Sequence, residues 1–170
     1  MFNPDTPKIY VACFAAYNGG RLHGSWIDAD QDVDDIWSAV QKMLKSSPEP
    51  DAEEWAIHSY DGFGGMRLSE SESFERVSEL GQALVEHGPA FSAYCSVADD
   101  PTVENFEDAS WGEFDSGKDF AQSWYDEMGA DLGSLRGYID WERVWRGEFD
   151  CAGFTGVHHG GSYFVFNTIH

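Results

Sequence analysis

Five carboxylates occupy the eight positions "DADQDVDD", residues 28–35, with no Lys or Arg among them. Such a run suits a calcium loop, the mouth of an acidic catalytic site, a helix start, or a surface built to be negative. The calcium reading sets Asp28, Asp30 and Asp32 at positions 1, 3 and 5 of an EF-hand-like register. Position 6, which needs Gly for its sharp turn, is Val33, and position 12, which needs a bidentate Glu, is Ala39, so the loop fails twice. A helix start fits better: Asp30 or Asp32 can cap, and Asp34 and Asp35 favour the positive helix end. Capping uses one or two carboxylates and leaves the others unexplained.

The remaining chemistry-bearing residues do not assemble into a reaction. The six histidines (His23, His58, His87, His158, His159, His170) form no HExxH, and adjacent His158 and His159 would point to opposite faces of a strand. No GxSxG, no P-loop and no glycine fingerprint after a strand is present; "DGFGG" and "HHGG" read as turns. Carboxylate pairs are too abundant to single out a general acid and base. Cys13, Cys95 and Cys151 are odd in number and widely spaced, and read as reduced thiols of a cytosolic protein. The expectation is a protein with no catalytic residues, no metal and no cofactor.

Charge is the outstanding property. Thirty-one acidic residues against ten basic ones give a net charge of −21 in 170 residues. That repels nucleic acid and anionic membrane and attracts basic surfaces. The acids are spread along the chain: Asp30, Asp32, Asp34 and Asp35; then Glu49, Asp51, Glu53 and Glu54; then Glu70, Glu72, Glu75 and Glu79. Eleven follow between 99 and 131 (Asp99, Asp100, Glu104, Glu107, Asp108, Glu113, Asp115, Asp119, Asp126, Glu127, Asp131), with Lys118 alone to offset them. Residues three or four apart on a helix are neighbours, so Glu72, Glu75 and Glu79 are expected to form a spaced negative row. Duplex DNA carries one charge per ~1.7 Å of axis, so 21 charges match about 36 Å of duplex. A folded, elongated acidic chain can therefore occupy a cationic groove made for DNA.

The elements that must carry this surface can be read from periodicity. Residues 8–15, "KIYVACFA", form a buried strand; "YNGGRLHG" is a turn and "SWID" a returning strand. From Asp32, Val33, Ile36, Trp37, Val40, Met43 and Leu44 mark one helical face, ended by "SSPEPD". "EWAIHSY" alternates as a third strand, with Trp55, Ile57 and Ser59 on one side. An acidic helix over 69–88 carries the stripe Phe74, Val77, Leu80 and Leu84, Pro89 opens a second helical stretch, and "DPTVENFEDA" gives a third. "SWGEFDS" is a strand, and Phe120, Ala121, Trp124, Tyr125 and Met128 share a helix face. Residues 138–149 form another helix, and "FTGVHH" and "SYFVFN" are the closing strands. Trp26, Trp37, Trp55, Trp124 and Trp145 fall on faces to be buried, while Trp111 and Trp141 suit a surface contact. The start "MFNPDTPKIY" lacks the pattern of a signal peptide, and no apolar stretch spans a bilayer. The fold class is α+β in three units: 1–61, a sheet with one helix; 62–109, mainly helical; and 110–170, a helix-and-sheet unit.

"IYVACFAAYNGGRLHGSWIDA", "EEWAIHSYDGFGG" and "LRGYIDWERVWRGEFDCAGF" followed by "YFVFN" resemble ArdA-type antirestriction proteins, over essentially the whole chain. The resemblance implies three small domains in a curved protomer that dimerises to mimic the charge and bend of B-DNA. The implied partner is the methyltransferase core of type I restriction–modification enzymes, in the cytoplasm of a bacterial host, with the protein carried by a mobile genetic element. The family's antirestriction segment falls at about 120–137, and Tyr125, Met128, Leu132 and Leu135 are candidates for the two-fold contact of a homodimer. The mimic surface would comprise the carboxylates named above from Asp30 to Glu127, excepting Glu54 and Asp119. Acidic adaptors of other basic proteins, and metal-dependent hydrolases, are the alternatives.

Overall fold

The computed structural model describes residues 6–169. His170 and the first five residues of the N-terminal stretch lie outside it. The fold is α+β, as expected, and by internal contacts it divides into two compact units, 1–92 and 93–170.

In the first unit, β1 (Lys8–Cys13) is the central strand of an antiparallel sheet ordered β2-β1-β3, with β2 at Gly24–Asp28 and β3 at Trp55–Asp61. The register sets Ile9 opposite Ile27 on one side and Val11 opposite Ile57 on the other. Between β1 and β2, part of the expected strand and turn winds into a short helix, α1 (Phe14–Asn18). The long helix α2 (Val33–Lys45) lays Ile36, Val40 and Met43 into the core. The expected stripe of α3 (Phe74–Cys95) is inward as well: Phe74, Val77, Leu80 and Leu84 are all buried. Trp55 stacks on Phe74 with ring centres 4.2 Å apart, and Trp37 meets the same ring edge-on at 4.8 Å. Burying such side chains, at roughly 1.5–3 kcal/mol each, drives this packing.

Three expectations need correction here. Helix α3 starts at Phe74, because Ser69–Ser73 make local turns held by Ser69 and Ser73 hydroxyls. Strand β3 does not alternate cleanly: Tyr10 faces Ser59 and Val11 faces Ile57, so His58 is an extra residue in the ladder. That bulge buries neighbouring Ala56 and Ile57 together and leaves Ser59 exposed. Trp26 stays 51% exposed, because it lies on the outer sheet face beside Tyr10. Helix α3 is also kinked at Gly88, whose φ of 53° suits glycine, followed by Pro89 with no N–H to donate.

In the second unit, the end of α3 supplies Tyr94, which clusters with Phe106 of α4 (Val103–Ala109) and Phe166 of β6. The sheet is ordered β4-β6-β5, with β4 at Ser110–Phe114, β5 at Phe154–His159 and β6 at Ser162–Asn167. Against it packs α5 (Gly117–Glu127), whose Phe120 is surrounded by the rings of Phe114, Trp145, Phe149 and Phe154 at 5.1–5.7 Å. Gly117 belongs to this contact: a side chain there would collide with the Trp145 indole. The single helix expected over 138–149 is instead a 3₁₀ turn (Gly133–Tyr138), a four-residue helix α6 (Trp141–Val144), a π turn (Trp145–Phe149) and a further 3₁₀ turn (Asp150–Ala152). Trp141, Trp145 and Phe149 are four residues apart. That spacing sets them along one face, and all three are buried. Trp141, expected at the surface, is only 7% exposed because it packs into the core of this unit beside Tyr125.

Candidate functional site

Among the described residues no group of three or more His, Cys, Asp or Glu is arranged to hold a metal ion. Among them also, no helix is long and apolar enough to cross a membrane. What the fold does present is a dispersed acidic surface. The first unit carries sixteen acidic and six basic residues, the second fifteen and four.

The densest part is the run that follows β2. Ile27 and Ala29 point inward, so Asp28 and Asp30 point out, and Asp32, Asp34 and Asp35 are exposed as well. Asp32 occupies the cap position of α2, but its side chain makes no capping bond; its main-chain carbonyl accepts from Asp35 and Ile36. Asp34 and Asp35 lie in the first turn, where the helix dipole favours them. Helix α3 holds this loop from the side. The Ser78 hydroxyl donates to the Gln31 carbonyl at 2.7 Å, and the Gln82 amide donates to the same carbonyl at 3.3 Å and to Asp32 Oδ1 at 3.5 Å. Asp30, Gln31, Asp32, Asp35, Gln82, Val85 and Glu86 line an open groove of about 460 Å³. Glu86 was not among the expected surface residues; only the fold brings it beside the run.

Farther along, Asp51 and Glu53 are exposed in the loop before β3, and Glu49 is half-buried against Arg21 at 3.6 Å. The expected row of Glu72, Glu75 and Glu79 is shortened, because Glu72 precedes the helix and accepts from the Ser69 N–H at 3.4 Å. Glu75 and Glu79 remain on α3, Glu79 with Arg76 at 3.6 Å, and Glu70 is exposed before them.

In the second unit Asp99 and Asp100 are exposed ahead of α4. On α4 a better row replaces the expected one: Glu104, Glu107 and Asp108 are all exposed at spacings of three and four, so they share a face. Thr102 caps that helix by accepting from the Asn105 N–H at 3.0 Å, and Phe106 and Ala109 anchor its other side. Glu113 and Asp115 are exposed on and after β4. Asp119 is engaged with Ser116 in the cap of α5.

Asp126 and Glu127 end α5, and here a cation intervenes. Arg136 forks onto both oxygens of Asp126, which holds that carboxyl below the usual carboxylate range through the hydrogen bonds, and raises its own affinity for the proton in return. Tyr125 donates its hydroxyl to Glu148, which pushes the phenol upward. Among the candidates for a two-fold contact, Met128 and Leu135 are 72% and 66% exposed, whereas Tyr125 and Leu132 lean on the Phe120 core.

Of the twenty carboxylates expected at the surface, eighteen are exposed and two, Glu49 and Glu72, are half-buried. No curated protein is similar enough to the chain to be matched to it. The profile of the antirestriction protein (ArdA) family, however, matches residues 9–161, most of the sequence and both units of the fold. The chain belongs to the ArdA family of antirestriction proteins.

Proposed function

We propose that this antirestriction protein acts as a folded mimic of DNA, occupying the DNA-binding groove of the methyltransferase core of type I restriction–modification enzymes. Carboxylates stand where a duplex presents phosphates, and the protein forms no product. Inhibition is competitive and stoichiometric, and weakens with salt as ionic contacts are screened. The active form in this reading is a homodimer in the cytoplasm of a bacterial host, built from protomers with functional divisions at 1–61, 62–109 and 110–170.

The observation that carries the reading is the placement of the acids: none of the twenty is buried, and both units share them almost equally. Such a surface destabilises its own fold by self-repulsion, and a cationic groove is the environment that relieves it. Family membership supplies the antirestriction role; charge placement supports the mechanism.

The test is a competition. Purified protein is titrated into a type I methyltransferase core bound to labelled duplex DNA, at two salt concentrations. Displacement near one equivalent, weaker at the higher salt, is the expected result. A folded protein that leaves the complex intact at large excess overturns the mechanism and directs attention to another basic partner.

A further inference from the structure

Crowded carboxylates repel, and a repelling loop spreads over many conformations. An arginine or lysine would order the run at 28–35, but would cancel the charge. No Lys or Arg among the described residues forms an ion pair with Asp30, Asp32, Asp34 or Asp35. The loop is ordered by other means. Ser78, Gly81 and Gln82 stand three and four residues apart, on one face of α3. Ser78 is buried and bonds the Gln31 carbonyl; Gln82 bonds that carbonyl, the Ser78 hydroxyl at 3.0 Å and Asp32. Gly81 allows the Ala29 main chain to lie directly against the helix, where any side chain would strike the Ala29 carbonyl. Gln31 adds an internal bond from its amide to the Asp28 carbonyl at 2.8 Å.

We infer that Ser78, Gly81 and Gln82 are positioning residues: one face of α3 fixes the acidic run through uncharged contacts, so that its carboxylates meet a basic partner both ordered and unneutralised. This rests on the DNA-mimic reading, in which the run belongs to the partner-facing surface. Pre-ordering a charged segment removes an ordering cost of binding, and uncharged donors leave the Coulomb attraction intact.

Two variants separate order from charge, read by the same competition and by amide hydrogen exchange at Ala29, Asp35 and Ile36, whose N–H groups bond the Pro7 and Asp32 carbonyls at either end of the run. The double variant Ser78→Ala with Gln82→Ala leaves net charge unchanged; exchange accelerates and displacement weakens roughly three- to tenfold, the range for failing to pre-order one or two groups. Gln82→Lys retains a donor; exchange stays slow, yet displacement still weakens because a cation now sits in the run. Unchanged exchange in the double variant overturns the inference, as does faster exchange with undiminished displacement. The two failures are distinguishable. If the wild-type chain itself displaces no DNA, the mimic reading fails, while hydrogen exchange still decides whether α3 orders the run.

Discussion

Around Asp28–Asp35 the chain is held by a serine hydroxyl, a glutamine amide and a glycine; around Asp126 it is held by an arginine fork. Both arrangements fix a segment of an acidic chain, and they leave different residues behind. The first leaves the carboxylates of the run with no cation among the described residues. The second commits one carboxylate and one of the chain's ten cations to each other, and the Arg136 guanidinium lies 5.8 Å over the Trp141 ring as well. The difference teaches that exposure alone does not measure what a carboxylate offers a partner. Asp126 and Asp34 are both exposed, but Asp126 already has a cation.

The largest effect that sharpens this contrast lies in the core under the arginine fork. Phe120→Ala removes the ring on which Phe114, Trp145, Phe149 and Phe154 converge, and should cost about 3–5 kcal/mol in urea unfolding. The run at 28–35, in the other unit, should keep its native amide exchange in the folded fraction.

Next in size is Gly81→Ala. Helix propensity alone predicts stabilisation by about 1 kcal/mol. Collision with the Ala29 carbonyl predicts the reverse, and we expect a net loss of about 1–3 kcal/mol, read as a lower thermal midpoint. A stabilised variant would mean that the loop does not press on α3.

The comparison breaks if charge removal has the same effect in both places. Replacing Asp30, Asp32, Asp34 and Asp35 together with Asn should weaken displacement of DNA about tenfold or more, because it takes out several contacts of one cationic groove. Replacing the pair together, Asp126→Asn with Arg136→Gln, should change displacement less than about twofold, since it removes one charge of each sign and leaves the net charge unchanged.

The smallest effect concerns pH. Arg136 keeps the folded-state pKa of Asp126 below its unfolded value. The contribution of the pair is therefore complete above the unfolded-state pKa and is lost as pH falls through the folded-state one. Arg136→Ala should return Asp126 to the ordinary carboxylate range in a carboxyl-carbon NMR titration, with a slight loss of stability confined to pH values above that range.

Much of the fold was legible because periodicity and burial are local. The stripe Phe74, Val77, Leu80 and Leu84 and the face Ile36, Val40 and Met43 are buried as their spacing indicates. The acids were legible for a simpler reason: a charged carboxylate stays near water unless paired. What spacing does not carry is any device that interrupts a period. The bulge at His58 shifts the register of β3, and with it the burial of Ser59, and the π turn at Trp145–Phe149 cuts α6 to four residues. Nor does composition disclose partnerships across long stretches of chain. Ser78 and Gln82 act on Gln31 from 47 and 51 residues away, and each is an unremarkable polar residue within an amphipathic helix.

One feature of the second sheet bears on behaviour at high concentration. Strand β4 lies at an edge, and an edge strand offers unpaired main-chain groups to any strand of a neighbouring molecule. This one is only five residues long, its pairing with β6 skips Trp111, Gly112 takes a φ of 99°, and Glu113 projects from it. A short, bent, charged edge is a poor template for intermolecular pairing. Glu113, which the mimic reading places on the partner-facing surface, thus has a second consequence: it discourages cross-β association through this edge.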